Sequence, residues 1–362
     1  MAGRIVLFGA TGYTGQLVAR ALVARGAAPV LAGRSQRRLE ALAAELGGLP
    51  SAVADVARPA TVRALVEAGD VLISTVGPFV RWGEPAVRAA IDAGAHYLDS
   101  TGEPPFIRAI FERHGFEAEA AGVGLLAAFG YDYVPGNLAA ALALREAGER
   151  AVIVDVGYFL GGAGSQPSGG TRASSAGLLA EPAYAFAGGR LVSERTARHV
   201  RSFDGRPAVS VGATEQFALP RVHPGLRDVR VWLGWFGSAS RPLQAISAAT
   251  ALATRLPGVR GAIGAAAGQL VKGSTGGPDA ATRAGTSSQI VAIASDAAGT
   301  PLATVRLEGD NPYDFTGALL AWGATTAASD GLRASGALGP VDAFGLDELQ
   351  AGVAQAGITR MG

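Results

Sequence analysis

The 362-residue sequence contains no cysteine and only two methionines. Without cysteine there is no disulfide framework, no thiolate nucleophile and no sulfur ligand for a metal. The absence agrees with a reducing compartment, and a cytoplasmic location is expected. The four histidines, His96, His114, His199 and His223, are dispersed. None stands in HxH or HxxxH spacing, so no metal is expected. A dominant charge is lacking too: 31 Lys and Arg against 30 Asp and Glu leave a net +1. No global field draws nucleic acid or an anionic membrane to such a chain. The arginines are scattered without interleaved aromatics, which argues against a nucleic-acid partner. Long apolar runs are missing. The charge-free stretch Phe315 to Ala328 falls short of the roughly 18 residues of a membrane span. It contains Thr and Trp and suits a buried helix. No G-x-S-x-G elbow supports Ser-His-Asp hydrolysis. A single arginine leads into the first strand, so no signal peptide is expected. There is no internal repeat and no low-complexity linker.

What is present is a hydrophobic fraction of 49%, a charged fraction of 17% and 52 glycines. This is a globular composition, and the length suits about two domains. The chain is organised around RIVLFGATGYTGQ, Arg4 to Gln16. Ile5 to Phe8 is an apolar run too short for a helix, as in a buried parallel strand. Gly9, Gly12 and Gly15 follow, and then the helical spacing of Leu17, Val18, Ala21 and Leu22. A glycine turn between strand and helix is a nucleotide-binding context. Gly9 allows the tight turn, Gly12 admits a pyrophosphate to the backbone, and Gly15 lets the helix pack close. Ala10, Thr11, Tyr13 and Thr14 complete the turn. The free N–H groups and dipole of the helix start would hold the phosphates.

Strand and helix signals then alternate. Ala27 to Ala32, Ser51 to Ala54, Asp70 to Val76, His96 to Leu98 and Val123 to Phe129 are expected as strands. Helices are expected over Gln36 to Leu46 behind Ser35, from Thr61 through Val66, and over Glu84 to Ala93 and Phe106 to Ala121. About six β-α units at this spacing predict an α/β fold with a Rossmann-type, doubly wound parallel sheet at the N-terminus. The pattern changes near Pro135. Asn137 to Glu146 continues as a helix, and the signals then turn irregular. Val152 to Phe159, Arg227 to Trp235, Thr286 to Ser295 and Thr300 to Gly309 suit strands, the last two as a hairpin. Gly161 to Gly170 suits a loop, Thr171 to Leu179 a helix, Ser238 to Gln269 mostly helix and Asp314 to Asp330 a long helix. The expected division is a nucleotide-binding domain over 1–135, a smaller α+β substrate domain over 136–310, and a helical segment over 311–362 returning to the first domain.

In such sheets the ligand lies beyond the carboxyl ends of the strands. Gly33-Arg34-Ser35 ends the second strand, where an NAD site places a carboxylate for the ribose 2′-OH. Arg34 instead offers a guanidinium to a 2′-phosphate, with Arg37 and Arg38 nearby. NADP(H) is therefore expected rather than NAD(H). Asp55 is placed either for the adenine or as a cap of the next turn. Val76, Gly77 and Pro78, between Thr75 and Phe79, suit close packing beside a nicotinamide. Tyr97, Asp99, Ser100, Thr101, Glu103, Tyr131, Asp132 and Tyr133 cluster at the ends of the fifth and sixth strands. Of these, Tyr131 and Asp132 are the stronger candidates to donate a proton as hydride arrives. A structural role for Asp132, bonding loop N–H groups, is an equal alternative.

Four pieces carry a wider likeness: FGATGYTG (Phe8 to Gly15), LAGRS (Leu31 to Ser35), TVGPFVRWGEPAVRAAIDAGAHYLDSTGE (Thr75 to Glu103) and FGYDYVPGN (Phe129 to Asn137). SGGTRAS (Ser168 to Ser174) and GDNPYD (Gly309 to Asp314) add to it. Together they resemble the saccharopine dehydrogenase-like oxidoreductases, and within these most of all the trans-acting enoyl reductases. The GLDPG turn of saccharopine reductases proper is altered here to GYDYVPG, Gly130 to Gly136. The resemblance implies a nicotinamide-binding Rossmann domain, a second substrate domain, homodimers, and reduction of a C=C or C=N bond in a small-molecule or acyl substrate. It carries Gly9, Gly12, Gly15, Arg34 and Gly77 over as cofactor residues. Three functions remain open: an NADPH-dependent enoyl-type reductase, an imine reductase or amino-acid dehydrogenase, and a non-catalytic NADP-binding sensor. For an amino-acid substrate Arg81, Arg172 or Arg283 would clamp the carboxylate.

Overall fold

The computed structural model describes residues 3–162, 181–254, 259 and 276–361. The chain divides into two units. One comprises Met1–Gly102, Phe106–Val134 and Pro312–Gly357, the other Glu103–Pro105, Pro135–Asn311 and Ile358–Gly362. The expected loop and helix over 161–179 lie almost wholly outside the described residues, as do Ser168 to Ser174, Arg172 and most of the helical stretch beyond 254.

In the first unit the short apolar runs become β1 (Ile5–Phe8), β2 (Val30–Gly33), β3 (Ser51–Val53), β4 (Val71–Ser74), β5 (His96–Asp99) and β6 (Gly124–Leu126). With the two-residue strand Gly336–Ala337 they form one sheet, in the order Gly336–Ala337, β6, β5, β4, β1, β2, β3. Every pairing is parallel. This is the doubly wound sheet expected from the sequence. All residues of β1 and β4 are buried, which is why IVLF and VLIS show no polar alternation. The strand order reverses between β1 and β4, and ligands of such sheets bind at that reversal.

Helix Tyr13–Ala24 and helix Pro312–Asp330 lie against each other. A Cβ on Gly317 would stand 3.1 Å from the Leu17 Cβ. Further along, a Cβ on Gly323 would stand 2.4 Å from a ring carbon of Phe129. Phe129 stacks on Trp322, and Trp322 packs on Phe344 with centroids 4.7 Å apart. Small residues on the long helix thus admit an aromatic cluster from the sheet and from helix Pro340–Phe344.

Three elements differ from expectation. Strand β6 stops at Leu126, because Ala128 adopts φ 56° and gives its N–H to the Asp99 carboxylate instead of the ladder. The helix expected from Thr61 starts earlier, as Pro59–Arg63, with proline in its first turn. Thr61 is not its cap; its hydroxyl accepts from Asp55 N–H and donates to Arg58 O. The helix expected over 106–121 contains a wider π turn at Ile110–His114 between Pro104–Ala109 and Gly115–Ala120. Ala337 packs over the end of that turn, 3.2 Å from where a Cβ of Gly115 would lie.

The second unit holds a mixed sheet. Its strands are β7 (Ile153–Gly161), β8 (Pro182–Ala187), β9 (Arg190–Arg195), β10 (Val200–Phe203), β11 (Arg206–Val211), β12 (Asp228–Leu233), β13 (Ser287–Ser295), β14 (Pro301–Gly309) and Ile358–Arg360. The main order is β10, β11, β12, β7, β13, β14, Ile358–Arg360, while β8 pairs with β12 and β9. Only β7 and β12 run parallel. Phe159, Phe203, Ala208, Trp232 and Val291 form a core cluster here. Asp155 is buried beside it, accepts from Trp232 Nε1 at 2.8 Å and pairs with Arg201. The buried carboxylate is therefore satisfied, as a charge in such a place must be. Among the described residues no helix is long and apolar enough to cross a membrane, and no group of three His, Asp or Glu side chains is placed to hold a metal.

Gly323→Ala tests the packing of the long helix. Alanine is the better helix former by about 1 kcal/mol. Overpacking against Phe129 costs roughly 1–3 kcal/mol. A lowered urea midpoint is expected, whereas a raised midpoint would show that the ring yields freely.

Candidate functional site

The turn after β1 is crowded where it must be and open where a ligand would lie. Gly9 has φ 91°, and a Cβ there would stand 2.6 Å from Thr75 Oγ1. A Cβ on Gly15 would stand 2.2 Å from the Gly9 carbonyl oxygen. The helix therefore packs on the turn that follows β1, closer than any side chain allows. Gly12 is exposed, and a Cβ there would meet nothing but the Gly9 carbonyl, at 3.2 Å. The turn is anchored by Gly9 N–H and Ala10 N–H, both donated to Ala32 O, and by the Thr75 hydroxyl donated to Gly9 O. Gly12 is the N-cap of helix Tyr13–Ala24, and neither a capping side chain nor an acid stands in its first turn. Thr11 and Thr14 are half-buried there, and the Tyr13 ring meets Tyr313 edge-on with centroids 5.3 Å apart. Backbone N–H groups and the positive end of the dipole are thus presented to an anion.

The end of β2 carries no carboxylate. Gly33 is buried, Arg34 is exposed, and the Ser35 hydroxyl accepts from Arg38 N–H as a helix cap. Arg38 reaches back, its Nη2 donating to Thr11 O at 2.6 Å. A guanidinium keeps further donors after one such bond. Arg38 therefore stands beside the glycine turn, and exposed Arg34 follows β2 at the position where a ribose-binding acid would otherwise be. The residues present fit a dinucleotide with an extra phosphate on that ribose. The sequence placed Arg38 among the helix-start arginines, and nothing in its spacing revealed its reach to Thr11. Asp55 Oδ1 accepts from Ala57 N–H at 3.0 Å in a local turn, but it does not cap the helix that follows, whose N-cap is Arg58.

At the ends of β4, β5 and β6 the loops are linked to one another. Val76 lies beside Gly9, 3.0 Å from where its Cβ would be. Gly77 is exposed and joined to Pro78 by a cis peptide, and Pro78 caps the short helix Phe79–Trp82. Asp99 is fully buried, and its Oδ1 accepts from Thr101 N–H at 2.9 Å and from Ala128 N–H at 2.8 Å. Its carbonyl accepts from Phe129 N–H. On the same strand, burial and then the Asp99 charge push the Tyr97 phenol well above its ordinary pKa, so it stays neutral. His96 Nδ1 accepts from Gly124 N–H, and burial lowers its pKa. Glu103 belongs to the second unit. Among the clamp candidates, Arg81 lies over the Trp82 ring at 4.5 Å and Arg283 donates to Pro278 O.

Tyr131 and Asp132 are neighbours in sequence but differ in surroundings. The Tyr131 ring is buried edge-on against Phe315, and its N–H donates to the Thr316 hydroxyl. Thr316 also donates to Pro312 O, and its methyl would lie 2.8 Å from a Cβ on Gly130. Thr316 thus holds the loop in place, and no spacing in the sequence pointed to it. Asp132 turns its carboxyl toward Gly102; Oδ2 lies 3.0 Å from where a Cβ of Gly102 would be. Oδ1 is buried without a hydrogen-bond partner. Burial raises the pKa of this carboxyl to about 7. A glycine at 102 leaves room for it, and no neighbour stabilises its anion.

Residues 5–123 match the family model described as the saccharopine dehydrogenase NADP binding domain. This stretch is similar to the saccharopine dehydrogenase NADP-binding domains. Two curated relatives resemble part of the chain. A trans-acting enoyl reductase of Mycobacterium ulcerans is 40% identical over 140 residues, covering 37% of this chain and 34% of the relative. That of Mycobacterium leprae is 41% identical over the same shares. The match spans about a third of the curated relatives' length. Across the whole chain the fold is similar to apo saccharopine dehydrogenase (L-Glu forming) of Saccharomyces cerevisiae, with a TM-score of 0.56 and 14% identity, covering 99% of this chain and 100% of that one. The likeness carried by the motifs is thus met in sequence over residues 5–123, and the fold resembles that of the yeast enzyme across the chain.

Two outcomes are expected. Arg34→Ala weakens NADPH binding by about tenfold or more, as loss of a charge-assisted pair does, and leaves NADH binding unchanged. Arg38→Ala has a smaller effect in the same direction, both read by fluorescence titration. The second outcome concerns Asp132. Its folded pKa of about 7 lies above the unfolded value near 3.9. Folding then binds a proton between these values, so stability is highest in acid and falls as pH rises from about 4 to 7. The penalty reaches at most about 4 kcal/mol above pH 7. Asp132→Asn removes it. The variant should melt above the parent at pH 8–9, with the gap closing toward pH 4. Parallel melting curves would show that Asp132 titrates normally.

Proposed function

We propose that the protein is an NADPH-dependent reductase that delivers hydride to a C=C bond of an acyl or other biosynthetic intermediate, with Asp132 as proton donor. The observation that carries this reading is the Asp132 carboxyl, buried, with Oδ1 unpartnered, at the carboxyl end of the same sheet that presents the glycine turn. The family of the first domain supports the cofactor, and the names of the relatives support the C=C bond.

Bound NADPH supplies a hydride from nicotinamide C4. Gly9, Gly12 and Gly15 shape the turn that takes its pyrophosphate, while Arg34 and Arg38 hold the 2′-phosphate. Val76, Gly77 and Pro78 border the space beside the ring. As hydride adds to one carbon of the double bond, the other becomes basic, and Asp132 gives it the proton held on its carboxyl. A donor with a pKa near 7 is half protonated at neutral pH, the condition in which general acid catalysis is efficient. Asp99 acts through the backbone, holding the Thr101 and Ala128 N–H groups so that the loop bearing Asp132 keeps its course.

The test is NADPH oxidation followed by absorbance with a panel of enoyl thioesters and cyclic imines. Turnover of an enoyl thioester is expected, with a rate that falls as pH rises through about 7 and the donor loses its proton. Asp132→Asn should lower kcat by about 10²–10⁴-fold with NADPH affinity kept. Turnover of imines alone would move the reading to C=N reduction. NADPH binding with no turnover on any substrate would make the protein a sensor.

A further inference from the structure

The sequence GDNPYD, Gly309 to Asp314, ends in the first turn of helix Pro312–Asp330. That helix runs parallel to helix Tyr13–Ala24, which starts at the glycine turn. The Tyr313 ring meets the Tyr13 ring, and one turn further along both helices Gly317 lies against Leu17. Equal steps in the same direction set the two helix starts level with each other. Tyr313, remote from the glycines in sequence, thus stands against the residue that follows Gly12, the exposed N-cap where an anion would be received.

Neighbouring residues impose this placement. Pro312 opens the helix, where its ring suits the required φ and no needed N–H is lost. The Thr316 hydroxyl donates to Pro312 O at 2.6 Å and accepts from Tyr131 N–H at 3.0 Å. Phe315 is buried edge-on against Tyr131. Gly317 brings the two helices close, since a Cβ there would stand 3.1 Å from the Leu17 Cβ. At about 100° per residue, Tyr313 and Gly317 share the face turned to the first helix, and Asp314 is rotated away from it. Asp314 stands in the first turn and answers the dipole of its own helix. Helix Tyr13–Ala24 has no acid in its first turn. One helix start therefore offers backbone N–H groups to an anion, and the other adds an aromatic side chain beside them.

We propose that Tyr313 is a cofactor-binding residue. Its ring, held against Tyr13, closes one side of the glycine turn and packs on the ribose that adjoins the bound pyrophosphate. The proposal rests on the reading that the glycine turn takes NADPH. A half-buried ring keeps surface for a ligand, and a ring fixed before binding loses little entropy on contact. Tyr313 lies outside the matched residues 5–123, so the cofactor site of the first unit draws on both ends of that unit's sequence. The part of the dinucleotide it meets is common to NADPH and NADH. Unlike Arg34, Tyr313 adds affinity without choosing between them.

The experiment is fluorescence titration of the full chain with NADPH and with NADH. Tyr313→Ala should weaken both by a similar factor, about tenfold, as truncation of a packed tyrosine does. Tyr313→Phe keeps the ring and should stay within about threefold of the parent. Labelling with 3-fluorotyrosine gives a second readout that needs no truncated side chain. The fluorine resonance missing from Tyr313→Phe should shift as NADPH is added and saturate with the dissociation constant found by fluorescence. Parental affinity in Tyr313→Ala, or a resonance that stays in place, would overturn the proposal. Loss of NADPH binding with NADH binding kept would place the ring at the 2′-phosphate and overturn it too. Equal loss in Tyr313→Phe and Tyr313→Ala would assign the effect to the hydroxyl, against the packing role. A parent that binds neither dinucleotide would instead bring down the cofactor reading itself.

Discussion

The loops at the upper end of the first sheet depend on one buried carboxylate. Asp99 ends β5, and its Oδ1 takes the N–H of Thr101 in its own loop and of Ala128 in the next. Its backbone carbonyl takes Phe129 N–H. Two of these hydrogen bonds, from Ala128 and Phe129, join the β6 loop to β5, and the third shapes the β5 loop itself. A hydrogen bond to a charged group contributes about 1.5–3 kcal/mol, and an orphaned buried carboxylate costs more. Ala128, a residue with no special tolerance for φ 56°, is held in that conformation by this attachment. The course of Gly130 to Tyr133 follows from it, and Thr316 secures the same loop from the other side.

The cofactor end is joined in the same manner, through backbone rather than through side-chain pairs. Gly9 touches β2 through Ala32 O and β4 through the Thr75 hydroxyl, and Arg38 ties the β2 side to Thr11. The ends of β2, β1 and β4 are therefore linked around the strand reversal. The loop bearing Asp132 follows β6, two strands beyond β4. Asp99 Oδ1 receives two backbone N–H donors, whereas Asp132 Oδ1 receives none. Two aspartates of neighbouring loops thus stand in different surroundings, set by the supply of N–H groups around them.

The parallel sheet was legible because its strands are buried on both faces and its helices repeat with a regular period. The glycine turn and the Gly77-Pro78 loop were legible as turns at strand ends because backbone constraints leave a residue signature. Arg38 and Thr316 were not, since each acts through a bond that spans 27 and 185 residues respectively. Tyr131 and Asp132 could not be told apart, because neighbours in a turn point to different sides and only the fold says which side is core. In the second unit the hairpin β8–β9 carried a Gly188-Gly189 signal, with both φ values positive, yet its flanking strands alternate too weakly to frame it. The short strands Gly336–Ala337 and Ile358–Arg360 have no periodicity to show at all.

Helix Pro312–Asp330 has a consequence for how the chain is made. It belongs to the first unit, together with the strand Gly336–Ala337, but it is reached only after the whole of 135–311. Leu17, Leu98 and Phe129 await partners that the ribosome delivers last. At roughly 5–20 residues per second, the nascent N-terminal sheet stays open on one face for on the order of 10–40 s. During that interval the middle of the chain can fold, and the sheet edge at β6 lacks its neighbour. Synthesis therefore finishes the first unit after most of the second, and an apolar, incomplete sheet stays exposed until residues 312–357 emerge.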